Sequence, residues 1–187
     1  TDARASGNQA LLAHGLAIQG SLAIQSGPAA LPMLAEAEGA ARASSNPYAL
    51  QLALGAQGVL AMQAGQAKAA EAQFREQAAI CAANAIPDGR SSALGNLAVV
   101  LQQQGDSAGA LAALVEQEDL CRQMNDAQNL VLCLANRGEV TSGLPGRKAE
   151  GLGVLDQAIA LAQQIGWAPM AGQIHQLRAQ LEARPGA

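Results

Sequence analysis

Four copies of one pattern, spaced about 40 residues apart, run through the 187 residues of this chain and restrict its fold more than any single residue does. Ala70, Phe74, Glu76, Gln77, Ile80 and Cys81 recur one period later as Ala110, Leu114, Glu116, Gln117, Leu120 and Cys121. A further period on stand Gly151, Leu155, Gln157, Ala158, Leu161 and Ala162, and one period upstream of the first set stand Ala30, Leu34, Glu36, Ala37, Ala40 and Ala41. The apolar positions repeat at three and four residues, the period of a helix face. Stacked helical units cannot bury such a face alone and do so on their neighbours, so the pattern predicts an all-α solenoid.

Composition agrees. Half of the residues are apolar but only 2% are aromatic, with Tyr48, Phe74 and Trp167 the sole representatives. Alanine is the commonest residue, a strong helix former that lets backbones approach closely; a sheet would need the β-branched and aromatic residues that are scarce here. The net charge of −4 and the lack of any Lys/Arg cluster beyond Arg147-Lys148 argue against a nucleic-acid partner. No apolar run reaches the ~18 residues of a membrane span, so no membrane is expected. The start at Thr1, with neither Met nor a signal-peptide pattern, is read as that of a piece of a larger protein, and the expectation of reduced cysteines suits a cytoplasmic location.

Each copy reads as two antiparallel helices. Gly65, Gly105 and Gly146 mark the corner within the later copies, and Gly27 does so in the first, displaced by two residues. Asn46-Pro47, Pro87-Asp88 and Asn125-Asp126 supply helix-start chemistry between copies. These signals bound repeats at about 6–45, 46–86, 87–125 and 126–167, in one domain over 1–187. Ala168-Pro169 then opens a ninth, capping helix over 169–183 with Ile174, Leu177 and Leu181 on one face, and the chain is expected to fray from Arg184. Small residues at Gly58, Ala98 and Gly138 are expected to meet Ala70, Ala110 and Gly151 across each pair, so that Ala70→Leu or Ala110→Leu costs roughly 1–3 kcal/mol by overpacking.

Helix pairs with a small residue midway in each helix and a glycine or Gly-Asp corner resemble tetratricopeptide repeats. Asn96-Leu97-Ala98 with Gly105-Asp106, and Asn136-Arg137-Gly138, are most similar to the ~40-residue subclass of kinesin light chains and of sensor arrays in bacterial signalling proteins. In the first copy Ile18 stands where the small residue is expected. The resemblance covers nearly all of residues 8 to 183 and implies a right-handed superhelix whose first helices line a concave, peptide-binding groove. Carried over, that groove is Leu12, Gly15, Gln19 and Leu22; Leu52, Gly55, Val59 and Met62; Ser92, Gly95, Val99 and Gln102; then Leu132, Ala135, Glu139 and Ser142. Leu52, Val59 and Met62 fit inter-repeat packing equally well. The clamp by which some relatives grip acidic chaperone tails needs groove lysines; here Lys68 and Lys148 fall near the starts of second helices, and only Asn96 and Asn136 match.

The residues of a catalytic site do not converge in this pattern. His14 and His175 belong to the first copy and the last helix, and neither a phosphate loop nor a zinc motif is present, so no enzyme, cofactor or metal is expected. Glu36, Glu76 and Glu116 form a ladder expected on an outer face, and Glu116, Glu118 and Asp119 an acidic patch on a solvated one. Cys81, Cys121 and Cys133 lack metal-ligand spacing and are expected as buried, unbridged thiols. The leading expectation is a scaffold binding a protein or peptide segment. The alternatives are a ligand-sensing regulatory domain and a homo-oligomer formed through an uncapped face around Leu11, Leu12, Leu16 and Ile18.

Overall fold

The computed structural model describes residues 8–184; the expected repeat start at residue 6 and the terminal residues 185–187 lie outside the described residues. Among the described residues there is no strand. The α-helices are α1 (Gln9–Leu22), α2 (Leu31–Ala43), α3 (Pro47–Gln63), α4 (Ala67–Ala83), α5 (Pro87–Gln103), α6 (Ser107–Met124), α7 (Ala127–Ser142), α8 (Lys148–Gln164) and α9 (Ala168–Ala183), with 3-10 turns over Ala23–Ala30 between α1 and α2.

Local chemistry sets the boundaries. At the starts of α3, α6 and α7 the side-chain oxygens of Asn46, Asp106 and Asp126 accept from the backbone N–H groups of Ala49, Gly109 and Asn129 at 3.1, 2.9 and 3.0 Å. Each bond satisfies a helix-start donor and stabilises by about 1 kcal/mol. The corners at Gly65, Gly105 and Gly146 have φ of 71°, 84° and 72°, a region costly to any residue with a Cβ. Pro47 and Pro87 open α3 and α5, and α9 carries Pro169 in its first turn.

The chain divides into two compact units, up to Val100 and from Leu101, with the division inside α5. In the first unit α1 packs on α2, α2 on α3, α3 on α4, and α1 on α3. Its core is largely alanine: Ala13, Ala17, Ala37, Ala41, Ala49 and Ala53 are fully buried around Leu16. Larger groups enter where glycine makes room. A Cβ on Gly58 would lie 2.6 Å from the Phe74 ring, and one on Gly20 would lie 2.3 Å from Leu34. At Gly58, then, an aromatic ring fills the space that the missing side chain leaves. Phe74 is wholly buried, which stabilises by roughly 2–3 kcal/mol.

In the second unit α6 packs on α7, α7 on α8, and α8 on α9. The core here is bulkier, with Val131, Leu134, Leu155, Ile159, Ile174 and Leu181 buried together. Gly138 and Gly151 do approach each other as expected: a Cβ on Gly151 would lie 2.6 Å from the Gly138 carbonyl oxygen. Ile174 and Leu181 place the expected inner face of α9 on this core, and Leu177 packs against it half-buried.

The first copy departs from the expected frame. Gly20, not Ile18, occupies the small-residue position, because Gly20 faces Leu34 as Gly58 faces Phe74. Ile18 is 41% exposed. Between corner glycine and apolar knob this copy is two residues shorter, and the 3-10 turns, with Gly27 at φ 64° and ψ −139°, absorb the difference. Residues of α1 therefore match residues of α3 at an offset of 38, as Gly20 matches Gly58, while α2 keeps the full period to α4, as Leu34 does to Phe74.

Candidate functional site

A cleft of about 330 Å³ opens in the first unit between the α1 end with its 3-10 turns, α3 and the first half of α5. Its apolar walls are Ile24, Leu52, Ala56 and Val59, and its polar margin is Ser21, Asp88, Ser92 and Asn96. The remaining lining comes from Gln51, Gln77, Gly55 and Gly89.

The two glutamines are the unusual part. Gln51 and Gln77 are only 8% and 5% exposed, and the Gln77 amide Nε2–H donates to Gln51 Oε1 at 3.0 Å. Gln77 Oε1 is buried without a hydrogen-bond partner. Leaving a buried acceptor unmet costs about 1–3 kcal/mol, so a donor delivered there recovers that cost. Glycines let the pair lie so deep: a Cβ on Gly55 would sit 2.7 Å from Gln77 Nε2, and one on Gly89 would sit 2.8 Å from Gln51 Oε1. Beside them the Cys81 thiol would be 2.7 Å from that same Gly89 Cβ, and burial pushes this thiol up to about 11.

The cleft gathers four of the groove residues carried over from the family resemblance, namely Leu52, Gly55, Val59 and Ser92. Leu12 packs instead into the core of α1, α2 and α3, and Leu52 shares that contact. Gln19 and Leu22 are exposed outside the lining, and the two-residue shift of α1 puts Ser21 and Ile24 in the places expected of them. The displaced Gly27 carried that signal in the sequence. Met62, Val99 and Gln102 are half-buried and do not line the cleft. In the second unit Leu132 is exposed and Glu139 half-buried. Ser142 is turned into the fold, its hydroxyl donating to the Gly138 carbonyl at 2.7 Å where Gly151 passes.

Other candidates resolve into structural roles. Glu118 is no part of an open acidic patch: its side chain is 12% exposed and pairs with Arg122 at 2.7 Å and Arg137 at 3.1 Å, tying α6 to α7. Glu76 pairs with Arg42 at 2.6 Å on the surface. Lys148 donates to the backbone carbonyl oxygens of Glu182 and Arg184, satisfying the end of α9, a role its neighbours in sequence do not betray. His14 and His175 are exposed on their helices. All three cysteines are buried and unbridged; Cys133 donates to the Leu114 carbonyl at 3.2 Å, and burial pushes its thiol up to about 12. Among the described residues no group of three or more His, Cys, Asp or Glu side chains could hold a metal ion, and no helix is long and apolar enough to cross a membrane. No protein-family model matches this chain, and neither does any curated protein.

Proposed function

We propose that the chain is a non-catalytic interaction scaffold of the tetratricopeptide kind, a right-handed solenoid of helix pairs closed by α9, which holds an extended polypeptide segment against its first helices. The observation that supports this reading is the cleft with an unmet acceptor near its floor. Amide groups below, aliphatic walls and a hydroxyl and carboxylate margin suit a peptide main chain that brings N–H donors and a small apolar side chain. A cytoplasmic setting belongs to the same proposal and is supported by the three unbridged thiols.

The test begins with peptides selected from a displayed random library and measured by calorimetry. Val59→Asp and Asn96→Leu are expected to weaken the selected peptides at least tenfold, with helix content unchanged by circular dichroism. Affinity indifferent to both substitutions would remove the cleft from the proposal.

A further inference from the structure

The core face of α1 is Ala13, Leu16, Ala17 and Gly20, all buried, and a second apolar stripe runs along its opposite side. Leu11, Ile18 and Leu22 are 57%, 41% and 78% exposed, three of the seven large apolar side chains left exposed among the described residues. With Gly15 they follow spacings of four, three and four, a heptad seam. A helix apolar on both sides is normally covered on both.

The first unit contains the covered version of the same stripe. At the offset of 38, Leu11, Gly15, Ile18 and Leu22 correspond to Ala49, Ala53, Ala56 and Leu60 of α3. All four are buried: Ala49 and Ala53 in the core with α1 and α2, Ala56 and Leu60 against Ala30 and Leu34. The stripe on α1 thus continues an interface that the fold already makes between successive helices.

We infer that the outer stripe of α1 is the surface on which a second copy of this chain docks, α1 against α1, about a two-fold axis. The stripe is self-complementary in position. With the helices antiparallel, Leu11 meets the partner's Leu22, and Ile18 meets the partner's Gly15, since both pairs centre on the same point between residues 16 and 17. Gly15 is an open notch, with nothing within 4 Å of where a Cβ would stand, so it receives the isoleucine. From Gln9 to Leu22 there is no Asp, Glu, Lys or Arg, so no like charges oppose each other across the axis. A two-fold contact needs one patch that fits itself, and this is such a patch. Head-to-tail stacking onto the last helix has no matching surface, because α9 exposes Gln173, His175, Gln176, Gln180 and Glu182.

Sedimentation velocity over a concentration series tests the dimer. The expected result is a closed monomer–dimer equilibrium with a dissociation constant of about 10–100 µM, as befits a contact at the small end of specific interfaces. Ile18→Glu and Leu22→Glu should each raise that constant at least tenfold while circular dichroism stays unchanged, since neither side chain is in the core. Gly15→Leu should weaken the dimer by filling the notch and yet raise the melting temperature, because glycine in an exposed helix is unfavourable. Val59→Asp, in the cleft, should leave association intact. A monomer at several hundred micromolar would overturn the inference. So would oligomers that lengthen with concentration, or a dimer insensitive to both glutamates.

Discussion

The two ends of the chain solve the same packing problem with different materials. At the first end α1 and α2 meet through alanines, with Gly20 admitting Leu34, and the outer side of α1 is left apolar and bare. At the last end α7, α8 and α9 enclose Val131, Leu155, Ile159 and Ile174, and the outer side of α9 is polar. A helix that ends an array must present a polar face to water or find a partner for an apolar one. By this criterion the outer side of α9 suits water and the outer side of α1 calls for a partner.

The largest expected effect sharpens the contrast in close approach. A Cβ on Gly151 would lie 2.4 Å from the Ser142 backbone nitrogen, and backbone cannot swing aside as the Phe74 ring opposite Gly58 can. Gly151→Leu should therefore destabilise by about 3 kcal/mol or more, and Gly58→Ala by about 1 kcal/mol, in urea titrations. Equal costs would show that the approach is no tighter at the last end than at the first.

Burial makes the next contrast. Ile174, at 2% exposure, should lose about 3 kcal/mol on replacement by alanine, whereas Ile18→Ala should change folding stability by about 0.5 kcal/mol or less. A large loss at Ile18, measured at concentrations below the dimer range, would mean that the stripe on α1 is already covered.

A smaller effect comes from the buried thiols. Cys81 and Cys133 are held at about 11 and about 12 against an ordinary value of 9.0, in both cases chiefly by desolvation. A raised folded value means that the unfolded chain loses its protons first as pH rises. The stabilising contribution is complete below about pH 9 and is lost progressively as pH climbs through 9 towards 11–12. Melting temperatures should fall over that window, and Cys133→Ala should flatten the fall more than Cys81→Ala, since its shift is larger. The smallest effect is expected at Arg42, which pairs with Glu38 and Glu76 while its side chain is 46% exposed. Arg42→Ala should cost about 0.5 kcal/mol or less, and the difference should vanish in high salt.

The corners at Gly65, Gly105 and Gly146, the caps at Asn46 and Asp126, and the inner face of α9 were all readable from residue order, because each depends on neighbours within a turn or two. The cleft was half readable. Leu52, Gly55, Val59 and Ser92 came from the family resemblance, but Ser21 and Ile24 required carrying the displacement of Gly27 back through α1. The bond between Gln51 and Gln77 joins the two helices of one pair, and a frame that matches each position only with its own copy in the next repeat cannot express it.

Sequence alone determined that this chain is helical, where its helices turn and which small residues recur, since propensity, capping and glycine geometry act locally. Tertiary structure alone decided the depth of the glutamine pair, the inward turn of Glu118 and Ser142, and the bare side of α1. Those outcomes depend on which surfaces come within a few ångströms of one another, and a two-residue difference in one connection is enough to move a side chain from the cleft wall to open solvent.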